Sequence, residues 1–278
     1  MLRPSCLPVL DADEDTSDFL SDVDEKDHPK IYVALDGKPS DRYVRGGHYC
    51  LATLIANSLR SVSSVGYRIQ DKLQSSNIKF KKLSQVRGKK RKNKYIQLVL
   101  DVLIEISKEQ QGLPFNYRIA LSSAEALNPN NILSDKGYTD HILNNLGGVI
   151  SEKHVSFNLN GKPLSIGINE FGAIIWWHHN LLKIADENGL SNTEASWWIH
   201  MDRLPLDHDC TKTTFLASYL DHFFQQKLWF SFTEDGDLPE DILPDFFANI
   251  FYDITYKNIL VEPLIKTKVR TLNELNIR

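Results

Sequence analysis

The chain has 278 residues, of which 42% are hydrophobic and 24% charged, and its net charge is −4. These values predict a globular protein with one large core, and they exclude a fibrous or wholly disordered chain. The apolar runs are far shorter than the roughly 20 residues that cross a bilayer, and no secretory leader is expected. Three scattered cysteines fit a reducing compartment. We therefore expect a soluble, cytoplasmic protein that does not bind a membrane.

Charge divides the chain into two parts. Residues 1–28 hold nine acidic and two basic side chains, a net charge of −7, which leaves about +3 for the rest. Few apolar residues interrupt this acidic stretch, so it cannot offset the entropy cost of ordering. We predict an acidic tail over residues 1–28, followed by a single α/β domain over residues 29–278.

The hydrophobic pattern predicts alternating strands and helices in the domain. Apolar runs predict strands, and residues spaced by three and four predict helices. The predicted strands are 31–36, 48–56, 117–121, 155–159, 163–168 and 197–202. The predicted helices are 58–73, 93–112, 139–146, 170–187, 211–226 and 240–256. This order is typical of a mixed central sheet flanked by helices.

A basic segment connects two of the predicted helices. Nine cations lie within residues 79–94: Lys79, Lys81, Lys82, Arg87, Lys89, Lys90, Arg91, Lys92 and Lys94. Such a density of charge can neutralise several phosphates, and Phe80 and Tyr95 near its ends are candidate stacking partners for bases. The segment is also consistent with a solvated loop or a helix start. We interpret it as a candidate nucleic-acid-binding segment.

Three aspartates are candidate metal ligands. Asp36 and Asp202 end predicted strands, and Asp245 lies in the last predicted helix. Ligands gather beyond the carboxyl ends of strands in α/β sheets, and carboxylates suit Mg²⁺ or Mn²⁺. Two such ions can activate water and neutralise a phosphodiester. Each aspartate also has a simpler interpretation, as a turn residue or, for Asp245 after Pro244, as a first-turn acid that favours the helix dipole.

These short motifs resemble a family of prokaryotic uncharacterised domains with a ribonuclease H-like fold. The matching pieces are Leu35-Asp36-Gly37, Met201-Asp202-Arg203 and Pro244-Asp245-Phe246-Phe247-Ala248. The resemblance implies a Mg²⁺- or Mn²⁺-dependent nuclease acting on DNA or RNA, with Asp36, Asp202 and Asp245 as catalytic ligands, and a setting such as phage defence. Gly37 stands where that family has Glu. A substitute ligand could be Glu170, Asp207 or Asp209.

Two other functions stay open at this point. Gly37 favours a catalytically degenerate member of the same fold that binds nucleic acid or serves as a scaffold. The third possibility is an accessory subunit that docks a protein partner through the acidic segment or the Trp-rich helix around Trp176 and Trp177. Zinc is disfavoured, because His200, His208 and Cys210 do not complete a tetrahedral set.

Overall fold

The structure is a computed structural model. It describes residues 5–6, 31–38, 49–122, 147–151, 154–159, 162–167, 197–202, 228–233, 239–257 and 262–276.

The central sheet has six strands and mixed direction. The strands are β1 (Ser5–Cys6), β2 (Ile31–Lys38), β3 (Tyr49–Ala56), β4 (Asn116–Ser122), β8 (Trp197–Asp202) and β9 (Leu228–Thr233). Their spatial order is β1-β9-β8-β2-β3-β4. The hairpin of β2 and β3 and the pair of β3 and β4 are antiparallel, whereas β8 lies parallel to both β2 and β9.

A second, three-stranded sheet is formed by β5 (Val149–Ile150), β6 (His154–Leu159) and β7 (Lys162–Gly167). Its β6–β7 pair is antiparallel, which confirms the hairpin predicted around Asn160-Gly161. Alternating apolar and polar residues on both sides of a favoured turn pair explain why this hairpin is visible from the sequence alone.

Four helices are described: α1 (Leu59–Ser75), α2 (Lys89–Gln110), α3 (Pro239–Tyr252) and α4 (Pro263–Asn276). A 3₁₀ turn over Leu83–Gln85 precedes α2, and a π-helical turn over Asp253–Lys257 follows α3. The Ser58 hydroxyl caps α1 by accepting the Ser61 amide at 3.3 Å, as its position before the apolar repeat predicts.

The core lies between the helices and one face of the central sheet. The helix α3 packs across β2 and β3 and against α1, while α2 packs against α1 and α4. Tyr32 and Ala34 of β2 belong to this core, and so do Val62 and Ile69 of α1. The opposite face of β2 is also buried, including Val33. The sequence therefore folds into a mixed α/β protein, in which helices flank a mixed central sheet.

Several boundaries differ from the predictions. Strand β2 continues two residues past Asp36, because Gly37 and Lys38 still pair with β3. Helix α2 starts at Lys89 instead of near residue 93, so part of the basic segment is helical. The pattern did not predict β9 or α4. The predicted helices 139–146, 170–187 and 211–226 lie outside the described residues, as does the acidic stretch apart from Ser5–Cys6, which pairs with β9.

Candidate functional site

The register of two parallel strands brings the first two candidate aspartates to adjacent positions. Strands β2 and β8 pair from Ile31 with Trp197 through Leu35 with Met201. The next residue on each strand is Asp36 on β2 and Asp202 on β8. Asp202 is the last residue of β8, as the sequence predicted, whereas Asp36 lies two residues before the end of β2, which corrects the prediction for that residue. The structure describes the backbone of Asp202 but not its side chain.

The third candidate, Asp245, lies on α3 and is almost completely buried. Its Oδ2 accepts the backbone N–H of Leu83 at 2.8 Å, and its Oδ1 accepts the Asn249 side-chain amide at 2.9 Å. Lys38 Nζ lies 3.4 Å from the same Oδ1. Two hydrogen bonds and a nearby cation thus surround this buried carboxyl group. Asp245 therefore joins α3 to the end of β2 and to the 3₁₀ turn.

The position of Asp245 within α3 excludes its interpretation as a first-turn acid that favours the helix dipole. The helix starts at Pro239, so the acids in its first turn are Glu240 and Asp241. Pro244 lies inside the helix rather than in its first turn, which corrects the prediction. A dipole effect falls off within the first turn. Asp245 is consequently held by its own contacts and not by the helix dipole.

Asp36 shares the α3-facing side of β2 with Lys38, since alternate residues of a strand point to the same face. Asp36 is partly buried, and its Oδ1 accepts the Gly37 amide at 2.7 Å. On the paired strand, burial raises the pKa of the Cys50 thiol to about 12, and the charge of Asp36 adds to this shift. Cys50 therefore stays a neutral thiol at physiological pH.

The basic segment lies mostly in solvent. Six of its nine cations are exposed: Lys79, Arg87, Lys89, Lys90, Arg91 and Lys94. Lys81, Lys82 and Lys92 are intermediate. In contrast, Phe80 and Tyr95 are buried in the core, so they do not present ring faces to bases as the sequence suggested. The hydrophobic effect favours burial of these rings among the apolar side chains of the core, and their burial attaches the segment to the core.

Two contacts connect the basic segment to α3 and to the turn that follows this helix. Leu83 N–H donates to Asp245, while the Tyr95 hydroxyl joins the two ends of the segment by donating to the Lys81 carbonyl at 2.7 Å. Lys92 Nζ lies 3.4 Å from an oxygen of Asp253, just beyond the end of α3. The segment is therefore bound to the same helix that carries Asp245.

A second buried polar cluster lies at the start of α3, one helical turn before Asp245. His200 Nε2 and Asp241 Oδ1 are 2.9 Å apart, and both side chains are buried. The Ser63 hydroxyl donates to Glu240. Burial raises the pKa of the Glu240 carboxyl, whereas Ser63 and then His200 act in the opposite direction. The cluster links α1, β8 and α3.

The donor chemistry around Asp36 and Asp245 fits a hard divalent cation. Both residues offer carboxylate oxygens, the type of ligand that hard divalent cations prefer. Among side chains that the structure describes, no group of three or more His, Cys, Asp or Glu residues has metal-binding geometry. Asp202 is not covered by that statement. A metal there would be held by Asp36, Asp202 and Asp245.

Sequence reasoning missed three participants: Lys38, Asn249 and the Leu83 amide. Alternation along β2 puts Lys38 on the same strand face as Asp36, and a spacing of four residues puts Asn249 on the same helix face as Asp245. The sequence therefore contained a signal for both side chains. A backbone amide has no sequence signal. Glu170, Asp207 and Asp209, the substitute ligands considered above, lie outside the described residues.

Comparison with known proteins finds little. No family model matches this chain, and no curated protein matches it. A chain of the solved structure of the PCNA:RNase HII complex from Archaeoglobus fulgidus aligns with a TM-score of 0.39 and 9% identity, covering 88% of this chain and 89% of that chain. A likeness at this level carries no argument about function. The family resemblance of the aspartate motifs therefore stays a prediction.

Of the helices described, none has the length and hydropathy needed to span a bilayer.

Proposed function

We propose that this chain is a ribonuclease H-like, metal-dependent nuclease that hydrolyses phosphodiester bonds of DNA or RNA. Asp36, Asp202 and Asp245 would hold Mg²⁺ or Mn²⁺, and the basic segment would bind the nucleic acid. The observation that carries the proposal is the β2–β8 register, which aligns Asp36 with Asp202 just beyond the last pair of these parallel strands, in a sheet crossed by the helix of Asp245.

Strand periodicity extends this argument to the side chain of Asp202. Trp198 belongs to the core on the α3 side, and His200 reaches Asp241 of α3. Alternation predicts that Asp202, two residues further on, shares that face. Three carboxylates from two strands and one helix would then surround one space, which is a rigid set of oxygen ligands.

The basic segment supports a polyanionic substrate. Lys89, Lys90, Arg91 and Lys92 form the first turn of α2, where the helix dipole is positive, and no described side chain caps this end. Cations at a helix N-terminus repel the dipole, so an anion bound there would relieve the repulsion. The Leu83–Asp245 hydrogen bond connects this segment to the candidate metal site, which would bring a bound phosphate chain close to the carboxylates.

Each part of the site has a distinct task in this proposal. The bound metal would supply an activated water and neutralise charge on the phosphate. The carboxylates of Asp36, Asp202 and Asp245 would fix its position. Asn249 and the Leu83 amide orient Asp245 by hydrogen bonds. The exposed cations of the basic segment would hold the sugar-phosphate backbone.

The test is cleavage of labelled single- and double-stranded DNA and RNA by the full chain with Mg²⁺ or Mn²⁺. We expect Asp36→Asn, Asp202→Asn and Asp245→Asn each to lower the rate by about 100-fold or more, because each removes a metal ligand. Asp71→Asn, at an exposed position of α1, is the matched control and should retain the wild-type rate. Cleavage that persists in EDTA or in all three variants would refute the assignment.

A catalytically inactive nucleic-acid-binding subunit is the second candidate function. The Lys38–Asp245 ion pair favours it, since an ammonium already compensates one candidate ligand. This subunit would bind nucleic acid without divalent ions and would not cleave it. The nuclease would need both the metal and the three aspartates.

Binding itself is tested through the exposed cations at the start of α2. Replacing Lys89, Lys90 and Arg91 by Ser should weaken binding and lower the slope of log affinity against log salt by about 0.9 per lost contact on duplex DNA. Lys92 is left intact because it pairs with Asp253. The matched control replaces three exposed cations elsewhere, Arg60, Lys108 and Lys266. Equal salt slopes in both triple variants would remove the segment from the proposal.

A further inference from the structure

Lys38 occupies a position that the proposed nuclease reaction does not use. It is the last residue of β2, and its Cα pairs with Cys50 of β3. Its side chain is 15% exposed, while that of Asp245 is 2% exposed. The 3.4 Å contact between Lys38 Nζ and Asp245 Oδ1 is thus an ion pair largely removed from water.

A buried carboxylate needs this positive charge. An ionised group withdrawn from water is costly unless a counter-charge and hydrogen bonds compensate it. The Leu83 amide and the Asn249 amide supply the hydrogen bonds, but both donors are neutral. Among the described side chains, Lys38 is the cation recorded within 4 Å of Asp245.

Of the three groups that contact Asp245, the Lys38 ammonium is the one that can move away. Leu83 N–H is held in the 3₁₀ turn, and Asn249 is held on α3 four residues after Asp245. Lysine instead carries a compact charge on a flexible four-carbon stem and can move its ammonium by rotation about side-chain bonds. A dication near Asp245 would repel this ammonium and offer the carboxylate a larger charge.

We propose that Lys38 is the intramolecular counter-ion of Asp245 in the metal-free protein, and that a divalent cation binds by displacing its ammonium. This inference rests on the proposed function, because it takes Asp245 to be a metal ligand. Lys38 keeps the carboxylate compensated and the β2–α3 contact intact until the metal arrives. The affinity for metal is then lower than the three carboxylates alone would give.

The test is calorimetric titration of the full chain with MnCl₂, without nucleic acid. Lys38→Met removes the competing charge and should bind Mn²⁺ on the order of tenfold more tightly than wild type. Lys38→Arg keeps the charge and should stay close to wild type. The matched control is Lys268→Met, which removes a lysine paired with Asp101 between α4 and α2 and should leave Mn²⁺ affinity unchanged.

Thermal unfolding provides a second readout. Without metal, Lys38→Met should melt below wild type, because Asp245 loses its counter-charge, and Mn²⁺ should raise its melting temperature more than that of wild type. If Lys38→Met is too unstable to titrate at 25 °C, Lys38→Gln, which can still donate a hydrogen bond, is titrated in its place.

The outcomes separate this inference from the proposed function. Equal Mn²⁺ affinity for wild type and Lys38→Met, with binding lost in Asp36→Asn, overturns the competition and leaves the metal site standing. Absence of Mn²⁺ binding in every variant overturns both. Tight binding by Lys38→Met alone, with none by wild type, overturns the displacement, because the metal then fails to replace the ammonium, and leaves Lys38 as a group that blocks the site.

Discussion

The ion pair between Lys38 and Asp245 makes a quantitative prediction for stability. Two unit charges 3.4 Å apart attract by about 5 kcal/mol at an effective dielectric constant of about 20. Part of this attraction is offset by the cost of withdrawing the lysine from water. For two contacting residues, we therefore expect a coupling energy of about 2 kcal/mol in a double-mutant cycle.

The cycle uses Lys38→Met and Asp245→Asn in the full chain. Each single variant leaves one charge buried without its partner and should lower the free energy of unfolding by about 3 kcal/mol. The double variant removes both charges, so it should lose only about 4 kcal/mol. Asp245→Asn keeps an oxygen for the Leu83 amide but replaces the oxygen that accepts from Asn249. Because both variants with this substitution share that loss, it cancels in the coupling energy.

Urea unfolding followed by circular dichroism at pH 7 in EDTA measures these values, and an unchanged denaturant slope verifies two-state behaviour. Arg68 and Glu109 provide the contrasting pair, because their atoms are closer, at 2.6 Å, but both side chains are exposed. That pair should couple far more weakly and lose its coupling in high salt, because water and ions screen exposed charges. A coupling for Lys38 and Asp245 as small as that of the exposed pair would refute the argument.

Three further predictions concern the core. Tyr32→Phe should raise the free energy of unfolding by about 1 kcal/mol in urea, since the buried Tyr32 hydroxyl has no hydrogen-bond partner among the described residues; a clear loss would contradict this. Burial raises the pKa of Glu240, so its favourable contribution is present below its usual value of 4.5 and is lost as pH rises through its folded value. Glu240→Gln, which can still accept from Ser63, should therefore gain stability over wild type between pH 4 and 8, and a difference independent of pH would count against it. Phe246→Ala should cost about 3 to 5 kcal/mol by the same urea assay, because the ring is fully buried, and a loss below about 1 kcal/mol would place it outside the core.

The sequence by itself determined the main elements of the fold. Apolar alternation predicted β2, β3, β4 and β8, and spacings of three and four predicted α1, α2 and α3, because periodicity records which face an element buries. It also located Asp202 at the end of a strand. Helix α4 and strand β9 went unpredicted. Strand β9 follows the predicted helix 211–226, and α4 follows the predicted helix 240–256, in stretches where the pattern predicts no element.

Only the tertiary structure decided how the candidate site is assembled. The sequence shows Asp245 in a helix, but the Leu83 amide that binds it belongs to a turn 162 residues earlier. It suggested that Phe80 and Tyr95 stack on bases, whereas both rings are buried. It ended β2 at Asp36, although pairing with β3 carries the strand on to Lys38. Long-range hydrogen bonds, burial and strand register depend on which segments pack together, and a local pattern does not contain that information.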